Sequence, residues 1–271
     1  MAAAVISNPL RITLIGSGQV ATHLGLAFER AGHRVQLVYS RHLAHATQLT
    51  AQLAQAFATD SLDLRSQPQC DLYLVSISDA AVAAVMAGAR FPEGSRVVHT
   101  SGSLPASVLA RPEFKLQTGV FYPIQTFSRN QPVNLADTPI ALEAENPELA
   151  ALLQHLATGI SQKVIFMAGP ERKQLHLAAV FACNFTNHLL GISRELLTQN
   201  SLDPHLLEPL IKATIEKSFA NNPFTVQTGP AVRGDNNIMQ EHLRLLSQEP
   251  LYQQIYSLLS RSIQGKKVTP E

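Results

Sequence analysis

The chain has no tryptophan, only two cysteines in 271 residues, and a charged fraction of 15%. Cys70 and Cys183 are too few and too far apart for a disulfide framework or a cysteine metal cluster, and they fit a reducing cytoplasm, the expected compartment. Net charge is +1 with both signs interspersed, so nothing points to nucleic acid or an anionic membrane as partner. The first residues, Met1 to Pro9, hold no basic leader and no long apolar stretch, which argues against a signal peptide. No apolar run is expected to reach the length of a membrane span. Internal repeats and low-complexity tracts are absent as well. Apolar residues are plentiful at 45%, enough for a real core in one large or two ordinary domains.

Near the start, Leu10 to Ile15 is a short apolar run that ends at Gly16-Ser17-Gly18-Gln19-Val20-Ala21 and passes into a helical pattern. This is strand, tight turn and helix with Gly-x-Gly-x-x-Ala at the joint, the arrangement that cradles a dinucleotide pyrophosphate. Gly16 permits the turn, Gly18 opens the backbone to a phosphate, and Ala21 lets helix and strand pack closely. The helix start adds unpaired N–H groups and a positive dipole end. Gly16, Ser17, Gly18, Gln19 and Val20 are therefore expected to bind a cofactor; the plainer reading is a glycine turn that only packs a strand on a helix.

A second strand, Arg34 to Ser40, follows a helix over Val20 to Arg30. An acidic residue at its end would bind the ribose of a cofactor lacking the 2′-phosphate. The chain has no Asp or Glu from Ala31 to Thr59 and offers Ser40-Arg41 there instead. A hydroxyl beside a cation suits a phosphate, so NADP (NADPH) is favoured over NAD; otherwise Arg41 is a solvated loop charge. A helix over His42 to Ala56, a short strand at Ala56 to Thr59 and a strand at Asp71 to Ile77 come next. Ser76, Ile77 and Ser78 lie at the carboxyl end of that strand, placed either for turn chemistry or for ribose contact, and Asp79 reads as the N-cap of a helix over Ala80 to Gly88. The strand Ser95 to Thr100 runs into Ser101-Gly102-Ser103, a candidate substrate rim.

This alternation predicts an α/β fold: a doubly wound parallel sheet followed by an all-α C-terminal domain. Leu116 to Phe127 reads as a strand and loop bordering a crevice. Strands at Pro139 to Glu143 and Lys163 to Phe166 flank a helix over Asn146 to Thr158. Gly169-Pro170 suggests a boundary, with residues 1–168 binding the cofactor and 169–271 forming a helical substrate and dimerisation domain.

Beyond Pro170 a long helix is expected over Glu171 to Leu197. At about 100° per residue, Lys173, His176, Asn184 and Asn187 fall in one stripe, while Leu177, Phe181, Phe185 and Leu189 fill much of the remaining circumference. A helix apolar on most faces should be buried. The stripe either satisfies itself within a core or faces a cleft. Helices are expected over Pro204 to Phe219, from Asn236 towards Ser247 and over Pro250 to Ile263, with a frayed tail. A polar loop from Asn221 to Asp235 carries Arg233, suited to a carboxylate.

The stretches GSGQVATHL, VYSR, YLVSISD, VVHTSGS, GVFYPIQTFS, HLAAVFACNFTNHLL and QTGPAVRGD resemble Rossmann-like proteins of the deazaflavin-dependent NADP oxidoreductase-like kind. These carry a C-terminal helical domain of unknown function, similar to that of 6-phosphogluconate dehydrogenase. More distant likenesses are pyrroline-5-carboxylate reductase, ketopantoate reductase and the β-hydroxyacid dehydrogenases. The resemblance implies NADP binding, a homodimer formed through the helical domain, and a small-molecule substrate in a cleft. β-Hydroxyacid dehydrogenases place a Lys one turn before an Asn on the first helix of the second domain. Here the residue four before Asn184 is Val180, and that pair is absent. A histidine acid can take its place. The expected reaction is hydride transfer to or from a small carbonyl, imine or alcohol. His176 would move the proton, Lys173 would share its stripe, and Asn184 would orient the substrate, with Ser101, Ser103, Tyr122, Asn187 and Arg233 contacting it. A catalytically silent NADP sensor and a non-enzymatic scaffold are the alternatives.

Overall fold

The structure, a computed structural model, describes residues 9–128 and 133–266. The N-terminal stretch read as lacking a leader and most of the expected frayed tail lie outside these residues. Contacts divide the chain into two compact units, Met1–Val180 and Phe181–Glu271. The division lies at 180/181, and the boundary expected from the sequence at 168/169 coincides with the start of the helix Gly169–Ala179.

The first unit is one sheet with helices on both faces. Its strands are β1 (Arg11–Ile15), β2 (Arg34–Tyr39), β3 (Phe57–Thr59), β4 (Leu72–Val75), β5 (Arg96–His99), β6 (Gln117–Pro123), β7 (Ile140–Ala144) and β8 (Val164–Phe166). Their order across the sheet is β3-β2-β1-β4-β5-β6-β7-β8. Every pairing is parallel except β6 with β7, which is antiparallel. The helices are α1 (Gln19–Arg30), α2 (Leu43–Thr50), α3 (Asp79–Gly88), α4 (Pro147–Thr158) and α5 (Gly169–Ala179).

Alternation along the strands sorts the core into two layers, because successive side chains leave a strand on opposite faces. Ile12 and Leu14 of β1, with Leu72 and Leu74 of β4, join Leu24 and Phe28 of α1 and Leu149 and Leu153 of α4 on one face. Ile15, Tyr73 and Val75 join Val82 and Met86 of α3 and Phe91 on the other. Asn146 caps α4 by accepting the Leu149 N–H, as its sequence position implies. The helix expected over His42 to Ala56 stops at Thr50.

The second unit is helical: α6 (Thr186–Gln199), α7 (Glu208–Ala220), the single turn α8 (Pro230–Arg233), α9 (Asn236–Leu245) and α10 (Pro250–Gly265). Asp235 caps α9 by accepting the Ile238 N–H. Two expectations are corrected here. The long helix is not uniformly α, because a π-helical segment, Val180–Phe185, separates α5 from α6. Its wider turn changes the angular advance, so the stripe drawn at constant phase from Lys173 to Asn187 does not hold across it. Nor is the apolar circumference buried: Leu177, Phe181, Phe185 and Leu189 are all exposed. From Phe181 to Lys266 the only buried hydrophobic residues are Ala231, Met239 and Leu246. The expectation about membrane spans is also revised. Gly169–Gln199 passes the test of length and composition for crossing a membrane, because an 18-residue window within it reaches a mean hydropathy of 1.3 with few charges.

Two buried histidines make the first unit sensitive to acid. The Nδ1 of His33 accepts the Leu10 N–H at 3.3 Å, and burial, then the neighbouring His155, holds its pKa below the ordinary value. His99, between β5 and the loop after it, is lowered mainly by burial as well. A histidine with a depressed folded pKa binds its proton more readily in the unfolded chain. Its stabilising effect is complete above the unfolded pKa of about 6.5 and is lost as pH falls towards the folded value, at up to about 1.4 kcal/mol per pH unit for each residue. Urea denaturation at pH 7.5 and 5.5 is expected to show lower stability at pH 5.5, and His33→Gln is expected to shrink that difference. An unchanged difference in the variant would remove His33 from the account.

Candidate active site

Sheet order reverses between β1 and β4, the position at which doubly wound sheets open a ligand crevice. A crevice of about 780 Å³ lies there. Among the residues lining it are all ten expected to hold a cofactor: Gly16, Ser17, Gly18, Gln19, Val20, Ser40, Arg41, Ser76, Ile77 and Ser78. Gly16 has φ +124°, and a Cβ there would stand 2.3 Å from the Ser76 carbonyl oxygen, so only glycine lets the turn sit against the end of β4. Around Gly18 the situation is the reverse: an added Cβ would meet nothing within 4 Å, and the backbone is open to a ligand. Gly18 is also the N-cap of α1, with no side-chain hydrogen bond to that helix start and no acidic residue in its first turn. Free N–H groups there suit an anion.

The other end of the crevice carries Arg41, His42 and His45, with Ser40 beside them. The Oγ of Ser76 is buried and has no hydrogen-bond partner among the described residues. A buried hydroxyl without a partner costs about 1–3 kcal/mol, and a ligand hydroxyl in the crevice would satisfy it.

Thr100 lines the same crevice and leads into the loop Ser101 to Leu104. Three side chains that the sequence analysis did not assign to this loop hold it in shape. His99 Nδ1 accepts the Ser101 N–H at 3.1 Å, while Nε2 lies 3.3 Å from the Pro105 carbonyl, which assigns its proton to Nε2. Arg172 of α5, with a side chain 0% exposed, donates to the Ser101 and Leu104 carbonyls at 3.1 and 2.8 Å. It also pairs with Glu143 at 2.7 Å. Asp79 is the third. Ser78, not Asp79, is the N-cap of α3, and Asp79 turns its Oδ2 to the hydroxyls of Ser101 and Ser103. Its expected role as a helix cap is therefore corrected. A strand-end serine cluster opposite an acid was the available signal.

Gly102 sits in the middle of this loop. A Cβ there would be 2.7 Å from His176 Nδ1 and 2.8 Å from Tyr122 Cζ, so the missing side chain lets both rings lie against the loop. The Tyr122 hydroxyl and His176 Nδ1 are 3.1 Å apart, within hydrogen-bond distance. The fold thus gathers Ser101, Ser103, Tyr122 and His176 in the first unit. Lys173 is exposed on α5 one turn before His176. Asn184 on the π-helical segment, Asn187 on α6 and Arg233 on α8 belong to the second unit, and all three are exposed.

Comparison with known proteins agrees with this architecture. Residues 2–115 match a Rossmann-like domain, and residues 138–263 match a domain of unknown function, DUF2520. No curated protein matches the chain in sequence. The crystal structure of BF3122 from Bacteroides fragilis, a protein provisionally named an NADP oxidoreductase, is 40% identical. The match covers 95% of this chain and 99% of BF3122, with a TM-score of 0.84. The fold also matches a reductive aminase from Aspergillus terreus, solved with NADPH and ethyl-5-oxohexanoate. There the identity is 13%, the coverage 94% and 93% of the two chains, and the TM-score 0.69. For a pyrroline-5-carboxylate reductase from Coxiella burnetii the values are 12%, 96% and 100%, and 0.54. With BF3122 alike over nearly its whole length, the chain belongs to the family that joins a Rossmann-like domain to DUF2520.

Proposed function

We propose that the chain is an NADP-dependent oxidoreductase acting on a small molecule. The observation that carries this reading is the continuity of one loop. Thr100 lines the crevice behind the glycine turn, and two residues later Gly102 carries the Tyr122–His176 pair. The crevice suits the cofactor. Open backbone at Gly18 and the uncapped start of α1 favour the pyrophosphate, the unpaired Ser76 hydroxyl favours a ribose, and Ser40 with Arg41 favours a 2′-phosphate. BF3122, the relative alike over its full length, carries NADP in its name.

NADPH held there supplies a hydride. The chain's own part is proton movement and orientation. The hydrogen bond fixes the His176 ring against the Tyr122 hydroxyl, so one proton can pass between them and out to a substrate oxygen or nitrogen. Lys173 adds a cation on the same helix. The roles expected for Asn184, Asn187 and Arg233 remain proposals drawn from the sequence. Free Cys70 and Cys183 suit the cytoplasm.

The second unit fits a homodimer. Phe219 is 88% exposed, Leu245 74% and Phe181 63%, within a unit that buries almost no hydrophobic side chain of its own. Apolar surface on that scale marks an interface, and a second copy of the chain is the proposed cover. Light scattering should give twice the 29.5 kDa chain mass; a monomer would refute the dimer.

Calorimetric titration tests the oxidoreductase reading. NADPH is expected to bind more tightly than NADH, and Arg41→Ala is expected to lower NADPH affinity by about 10-fold or more without changing that for NADH, as for loss of a charge-assisted contact. His176→Gln is expected to leave NADPH binding intact and to lower kcat by about 10²–10⁴-fold on a substrate found by screening metabolites. Failure of both nicotinamide cofactors to bind would refute the function, and full turnover by His176→Gln would refute the acid–base assignment.

A further inference from the structure

The protons of the serine loop are turned inward. Ser101 Oγ donates to Asp79 Oδ2 at 3.0 Å and accepts the N–H groups of Ser103 and Leu104, both at 3.0 Å. Its hydrogen bonding is saturated. The Ser103 hydroxyl donates to the same carboxylate oxygen. The Ser101 N–H is taken by His99. Both hydroxyl protons and three amide protons of the loop are therefore engaged within the cluster, and His99 and Arg172 hold the backbone so that they stay engaged.

What the loop leaves open is acceptor capacity. Ser103 Oγ keeps its lone pairs, and Asp79 Oδ1 has no hydrogen-bond partner among the described residues. Asp79 is exposed and Ser103 half-buried, so both can be reached by a ligand. A carboxylate or a carbonyl oxygen placed here would set lone pairs against lone pairs beside an acid. A group that carries N–H bonds and positive charge would find two acceptors and a favourable field. The distance from this acceptor pair to the acid–base pair is short along the chain. Ser103 follows Gly102, against which Tyr122 and His176 lie.

We propose that Asp79 and Ser103 form the substrate-nitrogen site of the oxidoreductase proposed above, binding a protonated amine or iminium through its N–H. The inference rests on that reading and narrows its substrate from carbonyl, alcohol or imine to the amine–imine class. Iminium and amine differ by one hydride at carbon. As the C–H bond forms, the C=N π pair becomes the nitrogen lone pair, the N–H proton stays in place, and the positive charge passes to the nicotinamide that gave the hydride. No proton has to reach nitrogen while the hydride moves; the Tyr122–His176 pair serves the proton that the neutral amine gains afterwards, or that the ammonium loses before oxidation. A carbonyl would require one at oxygen, where Asp79 and Ser103 offer only acceptors.

The test uses the full chain with NADP⁺ and matched probes. Pyrrolidine, cationic at pH 7, and neutral cyclopentanol share one ring shape, as do 1-pyrroline and cyclopentanone. Calorimetry is expected to show pyrrolidine binding about 10-fold or more tightly than cyclopentanol, with the preference abolished in Asp79→Asn and reduced in Ser103→Ala while NADP⁺ affinity stays at the wild-type value. Ser103→Ala leaves the anchors from Asp79, His99 and Arg172 to Ser101 in place, so it reads the acceptor itself rather than the loop's shape. With NADPH, 1-pyrroline is expected to exceed cyclopentanone in kcat/KM. Equal binding of the two ring probes, or a preference that survives Asp79→Asn, overturns the nitrogen site. Loss of NADP⁺ binding in the wild-type chain would instead overturn the oxidoreductase reading beneath it.

Discussion

The first unit depends on one close approach between two strand ends. Gly16, leaving β1, lies so near the Ser76 carbonyl that a Cβ would stand 2.3 Å from it. Around that contact the backbone is knitted further: the Gly16 N–H reaches the Tyr39 carbonyl at 2.8 Å, and the Ser76 N–H reaches that of Ile15 at 2.8 Å. The ends of β1, β2 and β4 are thereby held at one level, and the crevice opens above them where sheet order reverses. Any larger residue at Gly16 would push β1 from β4 and widen the floor of the site. Gly18, two residues on, has open space around it. The same motif thus uses one glycine for close packing and the other for access.

A second constraint is the buried cation of α5. Arg172 is fully enclosed and is balanced by Glu143 of β7 and two loop carbonyls. A buried charge is tolerated only when such partners surround it. This ties the helix that carries His176 to the loop that carries Gly102. The Tyr122–His176 hydrogen bond is therefore fixed by groups outside the pair, and the candidate chemistry sits on a rigid support beside the crevice.

Much of this was legible in the residues. The glycine turn, the acid-free segment after β2, and the serines at the ends of β4 and β5 follow from local rules linking small residues to turns and strand ends to ligands. The ten residues named for the cofactor line one crevice, and the serines after β5 lie in the loop that leads on from Thr100 at its edge. Helical phase singles out His176, and the structure places its ring against Gly102 and beside Tyr122. The constant phase drawn on to Asn184 and Asn187 takes no account of the π-helical segment between α5 and α6, and a single sequence carries no signal for that insertion. Arg172 escaped notice because charged residues usually face water, and its partners lie far away in sequence. Asp79 was assigned to its nearest local role, a helix cap, whereas its hydroxyl partners lie more than twenty residues on. Exposure of the second unit's apolar faces was also invisible, since periodicity marks a face for burial without naming what buries it.

These features combine into one account: a dinucleotide crevice at the strand reversal, and beside it a loop flanked by the Tyr122–His176 pair and by Asp79 with Ser103. Its central claim is that the glycine turn receives the cofactor phosphates. Gly18→Asp isolates that claim, because the new side chain would enter open space and leave packing intact while setting a carboxylate where the phosphates would lie. The measurement is the melting temperature of wild type and variant with and without NADPH, since a ligand that binds only the folded state must raise it. The account predicts that without ligand Gly18→Asp melts at or slightly above the wild-type temperature, since Asp caps the start of α1, and that NADPH raises the melting temperature of the wild type but not of Gly18→Asp. An equal rise in both proteins would contradict it.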